Sequence, residues 1–224
     1  MIKKFAITGG PCSGKTTALV RLVEYLQRER GFRVFVCEEA ATLGWKSGVA
    51  PSDLSYPDCE EGFLQFVLNL QFCLEDNFVK YAKAIGQNCI ILCDRGLMDG
   101  SAYVTPKQWE NVISRNKVPI ITTSAVKDGT EKIKMVPLTA ISDWDVLRYD
   151  AVFHLVTAAD GAPKYYTLEN NLGARHETPE MAIEQDMKTQ IAWSDHPHHI
   201  IIDNKGKTFE QKIEALIDLI SNYL

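Results

Sequence analysis

The sequence predicts an α/β fold, in which a doubly wound, mostly parallel sheet of five strands carries helices on both faces and an inserted β-hairpin. Two observations favour this architecture. Short apolar runs alternate with segments whose apolar residues recur at helical spacing, which is typical of a parallel sheet wound with helices. The run at residues 88–93 is apolar without alternation, as expected of a central parallel strand that is covered on both faces.

Length and composition indicate one globular domain, residues 1–224. The 224 residues are 46% hydrophobic and 24% charged, which excludes collagen-like, low-complexity and wholly disordered chains. The formal net charge of −5 provides no positive field that would favour nucleic acid as a partner. The first apolar run breaks at Gly9 before a signal-peptide core forms, and no apolar run approaches the ~20 residues of a membrane-spanning helix. We therefore expect a cytoplasmic protein without a transmembrane segment.

The predicted elements follow one another from the amino terminus. Apolar or β-rich runs predict the strands of the sheet, at residues 2–8, 32–37, 88–93, 151–156 and 199–202. Apolar residues at helical spacing predict a helix after the first strand, a long helix at about 61–85 and a C-terminal helix. Strands that alternate with helices in this way imply a doubly wound parallel sheet.

Between about residues 116 and 144 the pattern changes to two β-rich runs with Asp128-Gly129 between them. Asp-Gly tolerates the positive φ angles that a tight hairpin turn needs. We interpret this segment as a hairpin inserted into the parallel domain, with strands between about Pro119 and Val136. It would project beside the crevice where ligands of such sheets bind.

A phosphate-binding motif follows the first predicted strand. The pattern G-x-x-x-x-G-K-[ST] is matched by Gly9, Gly10, Pro11, Cys12, Ser13, Gly14, Lys15 and Thr16. The backbone N–H groups of such a loop turn inward around phosphate oxygens, and the start of the next helix adds its positive dipole end. Lys15 would reach the β- and γ-phosphates, and Thr16 would hold Mg²⁺. A glycine-rich turn without a ligand is the alternative, which the flanking strand and helix disfavour, so we predict a P-loop NTPase.

Asp94 follows the third predicted strand, at the edge of the sheet where ligands of open α/β folds bind. A carboxylate in this position suits the water shell of Mg²⁺. Arg95 comes next, and an Asp-Arg pair at this point is used by nucleoside and nucleotide kinases to hold substrate and the transferring phosphate. The alternative is that Asp94 only caps a helix or a turn at the strand end.

An acidic pair, Glu38-Glu39, closes the second predicted strand and faces the same crevice. A carboxylate there could take the proton from an attacking hydroxyl or position Mg²⁺-bound water. The alternative is a solvated acidic loop.

Two later segments are candidates for the nucleotide site. Residues 161–178 follow the fourth strand, where phosphoryl-transfer kinases of this layout carry a lid that closes over the nucleotide, and Arg175 would supply its positive charge. Asn204 follows the last strand, near the place where such folds bind the purine. Asn204-Lys205 is similar to the start of a guanine-specifying motif, but Lys207 stands where that motif has Asp, so ATP and GTP both remain open.

Taken together, these residues resemble the AAA domain of the type found in NadR and the TRPL translocation-defect proteins, a branch of the P-loop kinases. The resemblance is closer to the eukaryotic translocation-defect branch than to the bacterial NAD regulators. It is carried by residues 8–12, 14–17, Glu39, 41–42, 93–96, 98–99, 158–162, Tyr166, Arg175, Trp193, 196–197 and 202–204.

The resemblance implies binding of a purine nucleoside triphosphate, ATP or GTP, with Mg²⁺ as cofactor. It adds Thr17 to the nucleotide-binding residues and selects Glu39 from the acidic pair. It also implies GTP and phosphoinositide binding, as reported for the translocation-defect branch.

Two functions follow as hypotheses. The first is a small-molecule kinase or NTP hydrolase, which rests on the Asp94-Arg95 pair and the acidic strand end. Mg²⁺-nucleotide would be held by Lys15, Thr16 and Asp94. Glu39 would be the base, and Arg95 and Arg175 would bracket the transferred phosphoryl group, so the catalytic residues would be Lys15, Glu39, Asp94, Arg95 and Arg175. The alternative is a GTP-regulated binding module for a protein or phosphoinositide partner, with slow turnover or none. Acceptor-stimulated turnover would distinguish the kinase from the module.

Overall fold

A five-stranded parallel sheet forms the centre of the protein. The computed structural model describes residues 1–56, 58–122, 132–137, 148–166 and 178–224, with backbone alone at 51–52, 117–122 and 132–137. The strands of the sheet are β1 Ile2–Gly9, β2 Arg33–Cys37, β3 Cys89–Asp94, β6 Ala151–Leu155 and β7 His199–Ile202. Their order is β2-β3-β1-β6-β7, and every neighbouring pair is parallel. The predicted P-loop α/β architecture is therefore confirmed.

Helices cover both faces of the sheet. They are α1 Lys15–Arg28, α2 Ala40–Lys46, α3 Cys59–Ile85, α4 Pro106–Arg115, α5 Pro179–Ala192 and α6 Phe209–Ser221. Successive β1 side chains point to opposite faces, so Phe5 packs with the buried residues of α1 and α6. Ala6 packs with α3 and Trp193 on the other face. No helix in the described part of the chain has the length and apolar character needed to cross a bilayer.

The predicted hairpin is a separate two-stranded sheet. Its strands are β4 Lys117–Thr122 and β5 Lys132–Pro137, which pair antiparallel and make no ladder with the five-stranded sheet. Thr122 pairs with Lys132. An unbroken ladder closed by a two-residue turn at Asp128-Gly129 would instead pair Thr122 with Met135, so the observed register differs from the predicted one by three residues. The predicted turn itself lies outside the described residues.

A buried cluster of charged and polar side chains joins β1 to α3. Glu75 of α3 accepts hydrogen bonds from Lys4 Nζ at 2.7 Å, the Tyr149 hydroxyl at 2.6 Å and Gln71 Nε2 at 2.9 Å. Arg148 Nη2 lies 3.1 Å from the same carboxylate. Burial alone would raise the pKa of Glu75, but the charges of Lys4 and Arg148 outweigh it and hold that pKa below its usual value. Glu75 is therefore a buried carboxylate that its partners keep ionised.

Candidate functional site

The phosphate-binding loop lies between the end of β1 and the start of α1. Gly9 adopts a φ of 141°, and a Cβ there would stand 2.1 Å from the carbonyl oxygen of Leu155 on β6. Gly14 adopts a φ of 90° directly before α1. A side chain at either position would clash or strain the backbone, so the loop conformation depends on these two glycines of the motif.

Lys15 is folded back over this loop. Its Nζ donates to the carbonyl oxygens of Gly9 at 2.9 Å and Gly10 at 3.2 Å, and to Ser13 Oγ at 3.3 Å. Burial, followed by the positive charge of Arg95, lowers the pKa of Lys15 to about 8, although nearby carboxylates oppose this shift. An anionic ligand at this position would stabilise the charged form of Lys15, which burial and Arg95 disfavour in the free protein.

A cavity of about 640 Å³, called the phosphate cavity below, opens over the loop and the ends of the parallel strands. Its walls contain the following residues predicted from the sequence: Cys12, Ser13, Gly14, Lys15, Thr16, Thr17, Glu39, Asp94, Arg95 and Asn204. Gly9 and Gly10 supply carbonyl oxygens to Lys15, and Pro11 O accepts from the Thr157 hydroxyl behind the loop. Arg175 and residues 167–177 of the predicted lid lie outside the described residues. Because the carboxyl ends of parallel strands share one edge, residues far apart in sequence meet around this cavity.

Asp94 fits the predicted role of a Mg²⁺-binding residue. Its Oδ1 is buried and accepts no hydrogen bond from the described residues. Burial raises the pKa of Asp94, the neighbouring Glu39 adds to that effect, and Lys15 and Arg95 partly oppose it. Thr16, at the start of α1, lines the same cavity. Mg²⁺ is held in proteins by one or two such oxygen ligands together with waters and substrate phosphates, so Thr16 and Asp94 form a suitable donor set.

Glu39 and Arg95 form an ion pair across the ends of β2 and β3. Arg95 Nε donates to Glu39 Oε1 at 2.5 Å, and the Thr42 hydroxyl donates to Glu39 Oε2 at 2.6 Å. Burial alone would raise the pKa of Glu39, but Arg95, Thr42 and Lys15 outweigh it and lower the pKa. Glu39 is therefore ionised at neutral pH and can accept a hydrogen bond from a ligand hydroxyl, but it is a weak base.

Arg95 is held by more than Glu39. Its guanidinium lies 5.6 Å from the ring centre of Tyr103, and Nη1 lies 3.8 Å from Asp99 Oδ2. Burial alone would lower the pKa of Arg95, but Tyr103, Glu39 and Asp99 raise it further above its already high value. The guanidinium is permanently charged and positioned at the wall of the phosphate cavity.

A second cavity, of about 320 Å³, adjoins the first. It lies among α2, α3 and the 3₁₀ segment Leu97–Tyr103. Glu39 and Arg95 line both cavities. The ion pair therefore stands between a compartment shaped by the phosphate loop and a second compartment of small-molecule size.

Asn204 is placed at the first cavity, but its side chain already has protein partners. Nδ2 donates to the carbonyl oxygens of Thr157 at 2.8 Å and Asp160 at 2.7 Å, and Oδ1 accepts from Lys212 Nζ at 2.8 Å. Asn204 thus joins the loops after β6 and β7. Contact with a purine through its amide would require these bonds to break.

Lys212 is a site residue that the sequence did not reveal. Its buried Nζ also donates to Ser13 O at 3.2 Å and Val156 O at 2.6 Å, which fixes the back of the phosphate loop. Burial lowers the pKa of Lys212 to about 8, although Asp186 and Asp203 oppose the shift. A lysine beside the apolar positions of an amphipathic helix was its sole sequence signal.

Asp186 of α5 is a second residue that sequence reasoning missed. Its Oδ1 accepts from the backbone N–H of Gly10 at 2.7 Å and of Thr157 at 3.0 Å, and lies 3.1 Å from His154 Nε2. A Cβ on Gly10 would approach this same oxygen to 2.5 Å. Asp186 therefore fixes the first turn of the phosphate loop against α5.

Comparison with known proteins agrees with this geometry. A family model described as an AAA domain matches residues 4–212, which include all of the site residues described above. The comparison with curated proteins found no match. The family match supports a nucleotide-binding P-loop protein, while the resemblance to NadR and the translocation-defect proteins stays a prediction. Because the matched segment covers most of the sequence, this chain belongs to the AAA domain family.

Proposed function

We propose that the protein transfers the γ-phosphoryl group of a Mg²⁺-bound purine nucleoside triphosphate, ATP or GTP, to the hydroxyl of a small molecule. The observation that carries this proposal is the position of the Glu39–Arg95 pair, which lines both the phosphate cavity and the adjoining cavity. A second compartment of small-molecule size beside the phosphate cavity is what transfer to a small acceptor requires.

The triphosphate would occupy the larger cavity. Backbone N–H groups of the loop and Lys15 would bind the β- and γ-phosphates, and Thr16 and Asp94 would hold Mg²⁺, which neutralises charge that develops on the phosphates. The purine would lie towards the loops after β6 and β7, where Tyr165 and Phe209 offer aromatic surface. Arg175, as part of a lid over the nucleotide, belongs to this proposal through the family resemblance.

The transfer step would take place beside Arg95. In phosphoryl transfer the transition state is loose and carries negative charge on the equatorial oxygens, so positioning and electrostatics provide most of the catalysis. Arg95 would stabilise that charge. Glu39, a weak but ionised base, would accept a hydrogen bond from the acceptor hydroxyl, orient it for in-line attack and take up its proton late.

Turnover measured with and without acceptors tests the proposal. ATP and GTP are each incubated with Mg²⁺ and the protein, alone and with a panel of alcohols, nucleosides and sugars. Diphosphate formation stimulated by an acceptor, with phosphate found on that acceptor, is the expected result. Tight nucleotide binding without stimulation by any acceptor would refute phosphoryl transfer and favour the alternative, a GTP-regulated binding module for a protein or phosphoinositide.

The adjacent acidic pair offers a matched mutational test. Glu39→Gln keeps the shape of the side chain and should cut acceptor-dependent turnover by ~10²-fold while nucleotide affinity changes little. Glu38→Gln is the control, because Glu38 is exposed and its ion pair with Lys46 is long, at 3.9 Å. Equal losses of turnover and nucleotide affinity in Glu39→Gln would place Glu39 in the Mg²⁺ shell, and unchanged turnover would leave it a structural residue.

A further inference from the structure

The walls of the second cavity are mainly apolar. Most of its lining comes from aliphatic, aromatic and small residues: Ala40, Ala41, Trp45, Leu54, Phe63, Leu64, Val67, Leu68, Leu97, Gly100, Tyr103 and Val104. Its volume of about 320 Å³ lies at the lower end of the range for small-molecule sites, ~300–1,000 Å³. A ligand with an apolar body would gain binding free energy in this cavity, because its apolar surface would be removed from water.

Aromatic packing between α2 and α3 shapes one side of this cavity. The rings of Trp45 and Phe63 lie with their centres 4.4 Å apart. The two helices approach closely at Gly44, where a Cβ would come within 2.9 Å of Phe66. Because both Trp45 and Phe63 line the cavity, a ligand there meets aromatic surface.

The remaining polar side chains of the lining, Glu60, Gln71 and Asp99, already have partners within the protein. Exposed Glu60 accepts from Gln108 Nε2 at 3.0 Å. Asp99 Oδ1 accepts from the Thr8 hydroxyl at 2.5 Å and from Trp193 Nε1 at 2.7 Å. Gln71 Nε2 donates to Glu75 Oε1 at 2.9 Å and to the carbonyl oxygen of Arg95 at 3.3 Å. Among the described residues of this lining, the edge of a nucleobase or the hydroxyls of a sugar would find few free partners to replace lost water, and such losses are costly.

The polar end of the cavity is the Glu39–Arg95 pair, at the boundary with the phosphate cavity. We propose that the second cavity takes its phosphoryl acceptor from the class of alcohols with an aliphatic or aromatic body, and that it excludes nucleosides and sugars. The hydroxyl lies at Glu39 and Arg95, and the apolar body lies against α2 and α3. This inference rests on the proposed phosphoryl transfer and adds the class of substrate.

The reaction balances without a further reactant. The hydroxyl oxygen of the alcohol forms a bond to the γ-phosphorus, while the bond from that phosphorus to the β–γ bridging oxygen breaks. The nucleoside diphosphate leaves with the bond's electron pair. The hydroxyl proton passes to Glu39 and from there to water, and the products are the phosphate monoester of the alcohol and the diphosphate.

A panel of acceptors tests the assignment with the intact chain. Wild-type protein with Mg²⁺ and ATP or GTP is given 1-hexanol, 2-phenylethanol, adenosine, uridine or glucose, and both diphosphate release and the mass of the phosphorylated product are measured. Calorimetric titration of 2-phenylethanol measures binding without turnover. We expect the two apolar alcohols to bind and be phosphorylated, and the nucleosides and glucose to leave turnover at the level seen with water alone.

Cavity-filling variants identify the site. Val67→Trp on α3 should lower alcohol-stimulated turnover and 2-phenylethanol affinity by about tenfold or more, because a larger side chain overfills the lining. Nucleotide affinity should not change, since Val67 does not line the phosphate cavity. Val20→Trp is the matched control, because Val20 is 64% exposed on α1. Ala41→Leu fills the cavity from α2 and replaces Val67→Trp if that variant melts early.

The possible outcomes test the proposed acceptor class separately from the proposed phosphoryl transfer. Phosphorylation of adenosine, uridine or glucose instead of the alcohols would overturn the apolar class and leave phosphoryl transfer standing. Alcohol turnover that the cavity-filling variants leave unchanged would overturn the assignment to this cavity. Binding of 2-phenylethanol with no product from any acceptor would overturn phosphoryl transfer itself, and the acceptor role of the cavity with it.

Discussion

Nucleotide affinity should fall as pH rises through the lowered pKa of Lys15. With a pKa of about 8 in the free protein, Lys15 is charged in about three quarters of molecules at pH 7.5 and in about 3% at pH 9.5. The triphosphate binds the charged form and raises the pKa of Lys15 in the complex. Affinity is therefore greatest below pH 8 and falls by about 25-fold between pH 7.5 and 9.5, a free-energy loss of about 2 kcal/mol.

Calorimetric titration with ATP or GTP across this pH range measures the effect. The range lies above the second ionisation of phosphate esters, near pH 6, so changes in the ligand contribute little. Lys15→Arg is the control, because a guanidinium stays charged throughout and should make the profile flat. Lys212 also has a pKa of about 8 and bonds to Ser13 O, so a slope that persists in Lys15→Arg would assign the effect to Lys212. A flat wild-type profile would refute the role of Lys15.

Three further predictions concern binding and stability. Lys15→Ala should abolish measurable triphosphate affinity with little change in melting temperature, because Lys15 bonds to the loop and does not pack in the core. Unchanged triphosphate affinity would contradict the P-loop site. Glu75→Gln should lower the free energy of unfolding, measured by denaturant titration, by ~3–5 kcal/mol, because Lys4 and Arg148 lose their buried carboxylate. The control Glu24→Gln, at an exposed ion pair, should lower it by under ~1 kcal/mol. Replacing residues 124–132 with a short glycine linker should preserve nucleotide affinity and the cooperative melt; loss of the fold would show that the hairpin belongs to the core.

The sheet and the phosphate loop could be predicted because their signals are local. An apolar run, a glycine-rich loop and an amphipathic helix follow one another within the first thirty residues, and each indicates its own structure. The meeting of Glu39, Asp94 and Arg95 could be predicted as well, since each residue lies at the carboxyl end of a predicted parallel strand. The cap of α4 was equally readable, because Thr105 and Gln108 bracket Pro106 in a capping-box pattern, yet the helix was not assigned.

The contacts that hold the loop could not be predicted, since they join residues distant in sequence. Asp186 reaches the N–H of Gly10 across 176 positions, and Lys212 reaches Ser13 O across 199. Neither residue belongs to a motif. Lys212 lies in an amphipathic helix, and Asp186 lies in a helix whose large apolar residues Met181, Met187 and Ile191 are exposed, so its pattern does not mark the buried face. The contacts of Asn204 are a similar case: the strand end predicts its position, but the partners of its side chain depend on how the loops after β6 and β7 pack.

Backbone conformation explains how Arg95 lines both cavities while its neighbour Asp94 lines the phosphate cavity. Arg95 adopts a φ of 71°, in the left-handed region that costs a residue with a side chain ~1–2 kcal/mol. Its N–H still donates to Ile7 O at 3.0 Å, so the chain leaves the sheet only after this residue. With this left-handed turn Arg95 bonds to Glu39, while Asp94 keeps an Oδ1 without a partner among the described residues, as the proposed Mg²⁺ site needs. Strain of this kind persists where the surroundings impose it, and here the Glu39 ion pair, Asp99 and Tyr103 all hold the guanidinium at the proposed point of transfer.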